Sequence, residues 1–95
     1  MRKEDLIRVI TDESGLHPEA VRIVVEKFMK VVSEAVASGD SVLLRGFGCF
    51  ERVRRAEKTA RNIGENSEII IPAHFTPKFR PYPDFKNLVM TTGGY

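Results

Sequence analysis

The chain has 95 residues, 42% of them hydrophobic and 29% charged, with a net charge of +2 and a single cysteine, Cys49. That length makes one domain near the lower limit for burying a sufficient core alone, and one cysteine excludes an intrachain disulfide. Residues 1–44 hold six Lys/Arg against eight Asp/Glu (−2) and residues 45–95 hold nine against five (+4), an asymmetry that orients a protein on a polyanion. No continuous apolar stretch follows Met1-Arg2-Lys3-Glu4-Asp5, so neither a signal peptide nor a membrane span is expected, and the reading is a cytoplasmic, nucleoid-associated protein.

Residues 3–13 place Leu6, Ile7 and Ile10 at helical spacing, and Ser14-Gly15 stops the run. Pro18 suits the first position of a second helix, with Glu19 complementing its positive end. From there Val21, Val24, Val25, Phe28, Val31, Val32, Ala35 and Val36 form a broad apolar stripe, closed by Ser38-Gly39-Asp40 with Gly39 as the expected cap. Residues 41–44 read as a short strand, and Arg45-Gly46-Phe47-Gly48 as a tight turn in which both glycines supply unusual backbone angles. Phe47 and Phe50 read as core anchors. Past Phe50, Arg52 and Arg54 fall on one strand face and Val53 and Arg55 on the other, so this strand has left the core. A return limb runs from Glu68 to Thr76, and Pro72 suits an exposed two-stranded edge. Pro77 to Pro83 reads as a stiff connector, Pro83 opens a short helix in which Phe85, Leu88 and Val89 cover the core, and residues 91–95 read as a tail.

Two long facing strands with so few core-grade side chains are not stable alone in water. Their arginines give them a reason to project, because a two-stranded ribbon enters a groove of duplex DNA. If residues 52–75 form an arm, the remaining body is too small for independent stability, which argues for a dimer. The competing reading of Arg52, Arg54, Arg55, Lys58 and Arg61 is a ribbon kept soluble by its charge. His17 and His74 lack a Cys/His partner set at metal spacing, Cys49 has no resolving cysteine, and no pairing of nucleophile and base is present. The expectation is a non-enzyme with no cofactor, no metal, no small-molecule substrate and no membrane partner.

Taken in order, Gly39-Asp40-Val42-Leu44-Gly46-Phe47-Gly48-Phe50, then Arg61-Asn62, then Pro77-Phe79-Arg80, then Lys86 resembles the HU/IHF family of bacterial DNA-bending proteins. The similarity covers residues 1–90. It implies an α+β fold: an intertwined homodimer, or a heterodimer with a paralogue, of two N-terminal helices, a three-stranded antiparallel sheet with a protruding ribbon arm, and a short C-terminal helix. It further implies that the two arms wrap double-stranded DNA along the minor groove and bend or compact it with little sequence preference. On the family pattern Arg55, Lys58 and Arg61 match arm positions that meet phosphates and groove, and Asn62 matches the tip asparagine. Lys3, Arg80 and Lys86 match basic body positions, and Gly46 and Gly48 match a turn whose backbone approaches phosphate. Arg45, Arg52, Arg54 and Lys78 join the candidate DNA contacts as neighbouring cations.

Family members usually carry a wedging proline after Arg-Asn; this chain has Ile63, apolar and bulky enough to wedge in its place. Gly64-Glu65-Asn66-Ser67 is less basic than the usual tip, and Pro83 stands where many members have lysine, which points to weaker binding than a strongly basic homologue. The alternative function is a structural or protein-interaction module on the same dimer scaffold, its arms pairing with a partner's sheet edge and its DNA bending weak or absent.

Overall fold

A computed structural model describes residues 1–62, 64 and 67–92, so the Ile63 tip and the last three residues of the expected tail lie outside the described residues. The chain divides into two compact units, residues 1–34 and 35–95.

In the first unit, helix α1 spans Lys3–Ser14. The Asp5 carboxylate accepts a hydrogen bond from the Arg2 backbone N–H at 2.9 Å, answering one of the donors a helix start leaves unpaired. The helix ends at Gly15, whose φ of 73° is left-handed and whose N–H donates to the Thr11 carbonyl at 2.9 Å. Helix α2 spans Pro18–Ala37, with Pro18 first as its fixed φ favours. His17 serves just before it, its Nδ1 accepting the Glu19 N–H at 3.1 Å. Ile7 and Val21 are buried, and two ion pairs join the helices: Glu4 with Arg22, and Glu26 with Lys3. Leu6, Val9, Ile10, Val24, Phe28 and Val31 stay exposed in the single chain.

In the second unit, α2 closes through Gly39, at φ 95°, whose N–H donates to the Val36 carbonyl at 3.0 Å. Strand β1 (Val42–Leu44) pairs antiparallel with β2 (Gly48–Arg55), which pairs along its whole length with β5 (His74–Pro81). A separate two-stranded ladder joins β3 (Lys58–Asn62) to β4 (Ser67–Ile71). The ribbon is therefore two ladders rather than one continuous pair, because Ala56-Glu57 and Pro72-Ala73 belong to neither. Pro72 has no N–H to give a ladder, which accounts for the break on its side.

The segment Pro77 to Pro81 is strand and not a connector. Lys78, Phe79 and Arg80 pair with Glu51, Phe50 and Cys49, and β5 tolerates its prolines as an edge strand. Helix α3 spans Pro83–Thr92, so residues 91 and 92 are helical rather than tail; the Thr91 hydroxyl donates to the Asn87 carbonyl at 2.9 Å. Phe85 stacks on Phe47 with centroids 5.3 Å apart, but Leu88 and Val89, expected as core cover, are exposed in the single chain. Among the described residues, no helix is long and apolar enough to cross a membrane.

Candidate nucleic-acid interface

Strand alternation and the β2–β5 register sort the side chains of the sheet onto two faces. Phe50 and Arg52 share one face with Phe79, Pro77 and Phe75; Glu51, Val53 and Arg55 share the other with Arg80, Lys78, Thr76 and His74. The first face is aromatic. Phe50 stacks on Phe79 at 4.7 Å between centroids, and Phe47 lies 5.1 Å from Phe79 and 5.3 Å from Phe85. The opposite face carries the exposed cations Arg55, Lys78 and Arg80, while Arg52 and Arg54, also exposed, stand on the aromatic face.

The turn into this sheet is built by its two glycines for different reasons. The Phe47 N–H donates to the Leu44 carbonyl at 2.9 Å, and Gly46 takes φ 81° at the third turn position, where a left-handed angle suits glycine. Gly48, expected to supply a similar angle, is not among the positive-φ glycines. What it supplies is space: a Cβ there would overlap the Phe79 ring and come within 2.8 Å of the Arg80 carbonyl oxygen. Arg45 is exposed beside Gly46. Lys86 sits in the first turns of α3, its N–H donating to the Tyr82 carbonyl at 3.0 Å.

On the β3–β4 ribbon, register puts Lys58 with Ala60, Ile69 and Ile71 on one face, and Thr59 and Arg61 with Ile70 and Glu68 on the other. Lys58 and Arg61, grouped by sequence as arm cations, are thus on opposite faces of the ribbon. Arg61 stands directly across from Glu68 and Asn62 across from Ser67. All of β4 is exposed, including its three consecutive isoleucines. The candidate wedge Ile63 lies outside the described residues.

Three of the sequence-selected cations are engaged within the protein. Lys3 Nζ lies 3.1 Å from Glu26 Oε1 in the first unit. Arg80 Nη2 lies 3.5 Å from Glu51 Oε2. Arg52 Nη1 donates to the Ala37 carbonyl at 3.2 Å, and its guanidinium carbon sits 3.9 Å from the centroid of the Phe75 ring. Arg54 is exposed on the Arg52 face. Sequence reading missed Glu51, a carboxylate placed among the cations of the face opposite the aromatic one, and Phe75, the ring under Arg52. Strand parity alone places Glu51 with Arg55, so that signal was present. The side-chain reach of Arg52 to the end of α2 had none.

Nothing among the described residues gathers three or more His, Cys, Asp or Glu side chains into a metal-holding group, and Cys49 is buried on its strand. The arrangement offers cations on a flat sheet face, continued by an exposed two-stranded ribbon.

The comparisons with known proteins agree in one direction. Residues 1–90 match the family model described as bacterial DNA-binding protein. The DNA-binding protein HU-beta 2 of Neisseria meningitidis is 37% identical over 89 residues, covering 94% of this chain and 98% of that protein. The DNA-binding protein HU of Geobacillus stearothermophilus is 36% identical over 89 residues, covering 94% and 99%. Among solved structures, an Anabaena HU–DNA cocrystal superposes with a TM-score of 0.89 at 31% identity, covering 94% of this chain and 97% of that one. A mutant of transcription factor 1 in solution superposes at 0.65 with 27% identity, covering 96% and 92%.

Proposed function

We propose, from the premise that this chain belongs to the HU family of bacterial DNA-binding proteins, that it is an architectural nucleoid protein which binds double-stranded DNA as a dimer and bends it. It is not an enzyme. The observation that carries the reading is the set of exposed cations on two successive ladders: Arg55, Lys78 and Arg80 on one face of the sheet, and Lys58 and Arg61 on the two faces of the ribbon. Arg45, Gly46 and Gly48 at the turn, Arg54 at the root of the arm, and Lys86 on α3 extend the same contact set; Lys3 on α1, in the first unit, is a further candidate contact. Asn62 and Ile63 act at the arm tip, with Ile63 as an aliphatic wedge between base pairs. Residues 1–90 act as one DNA-binding domain with its arm at about 52–75.

Phosphate neutralisation supplies the affinity, and the grip of the arm on the groove offsets the cost of deforming the duplex. The exposed apolar side chains of α1 and α2 support the dimer, since a single chain leaves Val24 66% and Val31 61% exposed. The test is a gel-shift titration at low and moderate salt, comparing an intact ~40-bp duplex with a nicked or gapped one. Binding that weakens steeply with salt and tightens on the interrupted duplex is expected, and Ile63→Ala removes that preference. Salt-independent binding, or none at low salt, overturns the reading and leaves a protein-interaction module, for which the exposed Ile69, Ile70 and Ile71 edge is the matching feature.

A further inference from the structure

We propose that Arg52 is a positioning residue that braces the root of the arm against the end of α2, and that it does not contact phosphate. This rests on the DNA-binding reading above and assigns one of that site's cations a different task.

Strand β1 pairs with β2 only as far as Phe50, so from Glu51 outward β2 and β5 run as two strands with no third to hold them. A two-stranded ribbon is marginal by itself. Arg52 is the second residue past that point and lies on the aromatic face, away from Arg55, Lys78 and Arg80. Its Nη1 donates at 3.2 Å to the carbonyl of Ala37, the last residue of α2. That oxygen is one of the acceptors a helix end leaves unpaired, at the negative end of the helix dipole, where a cation is favoured. The same guanidinium lies over the Phe75 ring at 3.9 Å. Phe75 pairs with Arg54 and Arg52 with Pro77, so arginine and ring are diagonal neighbours on one face, within reach of a long side chain.

Gly39 completes the arrangement. A Cβ built on it would stand 3.2 Å from Arg52 Nη2, so the glycine that caps α2 also leaves the guanidinium its room. One planar cation therefore ties together the helix end, β2 and β5 where the third strand is missing. Lysine cannot reproduce this, since a point charge lacks the flat fork that donates at one edge and stacks through its face.

The experiment uses the full chain as Arg52→Met, Arg52→Lys, Phe75→Leu and the Arg52→Met/Phe75→Leu double variant. Duplex binding is titrated across salt at a temperature well below each variant's Tm, and backbone amide exchange of Val53, Arg55 and Thr76 is followed without DNA. A brace predicts about five- to tenfold weaker binding for Arg52→Met with the salt slope unchanged, no recovery in Arg52→Lys, and a double variant no worse than either single. It also predicts faster exchange at those amides in both single variants.

A salt slope reduced by about 0.9 in Arg52→Met and restored in Arg52→Lys makes Arg52 a phosphate contact and overturns the proposal. Unchanged affinity with only a lowered Tm overturns it too, leaving a residue that stabilises the fold without aiming the arm. If the wild-type chain binds no DNA, the functional reading falls by itself. The exchange data then decide the brace: loss of protection that does not deepen in the double variant upholds it, and unaltered protection sinks it.

Discussion

The Glu51 carboxylate lies 3.5 Å from the Arg80 guanidinium on the sheet face that also carries Arg55 and Lys78. Strand pairing sets Glu51 directly opposite Lys78, so one acid sits between two of the cations proposed to meet phosphate. An approaching phosphate meets both the repulsion of Glu51 and the competition for Arg80. Exposed pairs of this kind are worth about 0.2–1 kcal/mol, and salt screens them. Glu51→Gln is therefore expected to tighten DNA binding about two- to fivefold at low salt, an effect that shrinks as salt rises. A titration in which Glu51→Gln binds no better than wild type would show that this face does not carry the DNA.

The set of exposed cations predicts a shared signature for its members. Arg55→Ala and Arg61→Ala should each weaken binding to about the same degree on unrelated sequences, and each should reduce the steepness of the log–log salt plot by about 0.9. Because Lys58 and Arg61 occupy opposite ribbon faces, they cannot meet the same phosphate, and the loss from changing both should be additive within experimental scatter. Strong coupling between them, measured by a double-mutant cycle, would contradict the ribbon register.

The two turn glycines should fail differently. Gly46→Ala strains a left-handed backbone position with its nearest neighbour atom at 3.6 Å, the Asp84 carboxylate, so it should cost about 1 kcal/mol. Gly48→Ala drives a methyl into the Phe79 ring and toward the Arg80 backbone, and overpacking of this sort costs about 1–3 kcal/mol. Thermal unfolding of the two variants should thus rank Gly48→Ala as the more damaging. A milder effect at Gly48 would mean that Phe79 moves aside freely.

The Glu4–Arg22 pair gives the fold an acid-sensitive element. A hydrogen bond from Arg22 is the main cause holding the Glu4 carboxyl below the ordinary glutamate range, and Nη2 stands 2.7 Å from Oε2. A depressed carboxyl pKa contributes stability that is fully present above the unfolded value and is lost as pH falls through the folded one. Arg22 is itself raised above its ordinary value by the same bond, so only Glu4 titrates in an accessible range. Glu4→Gln should lower Tm at neutral pH and flatten the decline of Tm below the ordinary glutamate value. Parallel acid limbs for wild type and variant would rule this contribution out.

Much of the fold was legible because its signals are local. The Leu6, Ile7 and Ile10 spacing, Pro18 at a helix start, and the turn at Gly46 each specify their element within a few residues. Phe47 and Phe50 were readable as aromatic anchors too, since they have few other destinations in so small a body. What escaped depends on pairing between distant segments. Pro77 and Pro81 look like strand breakers until β5 is known to be an edge, and the role of Gly48 appears only when Phe79 is brought against it. Arg52 read as one more arm cation because strand alternation separates it from Arg55 without showing that the end of α2 lies within its reach. Leu88 and Val89 were assigned to a core that a single chain does not close over them.

The interruption of the ribbon bears on mechanics. Ala56-Glu57 and Pro72-Ala73 face each other between two intact ladders, with the His74 ring Nδ1 2.9 Å from the Pro72 carbonyl oxygen on one side. Rotation about four residues outside any ladder costs far less than shearing cross-strand bonds. Torque applied at the tip by a stiff duplex is therefore expected to be taken up at this joint before it reaches Arg55 and His74. An arm jointed in this way would work as a lever on a pivot, letting one body accept duplexes of differing curvature with little change to the sheet that holds it.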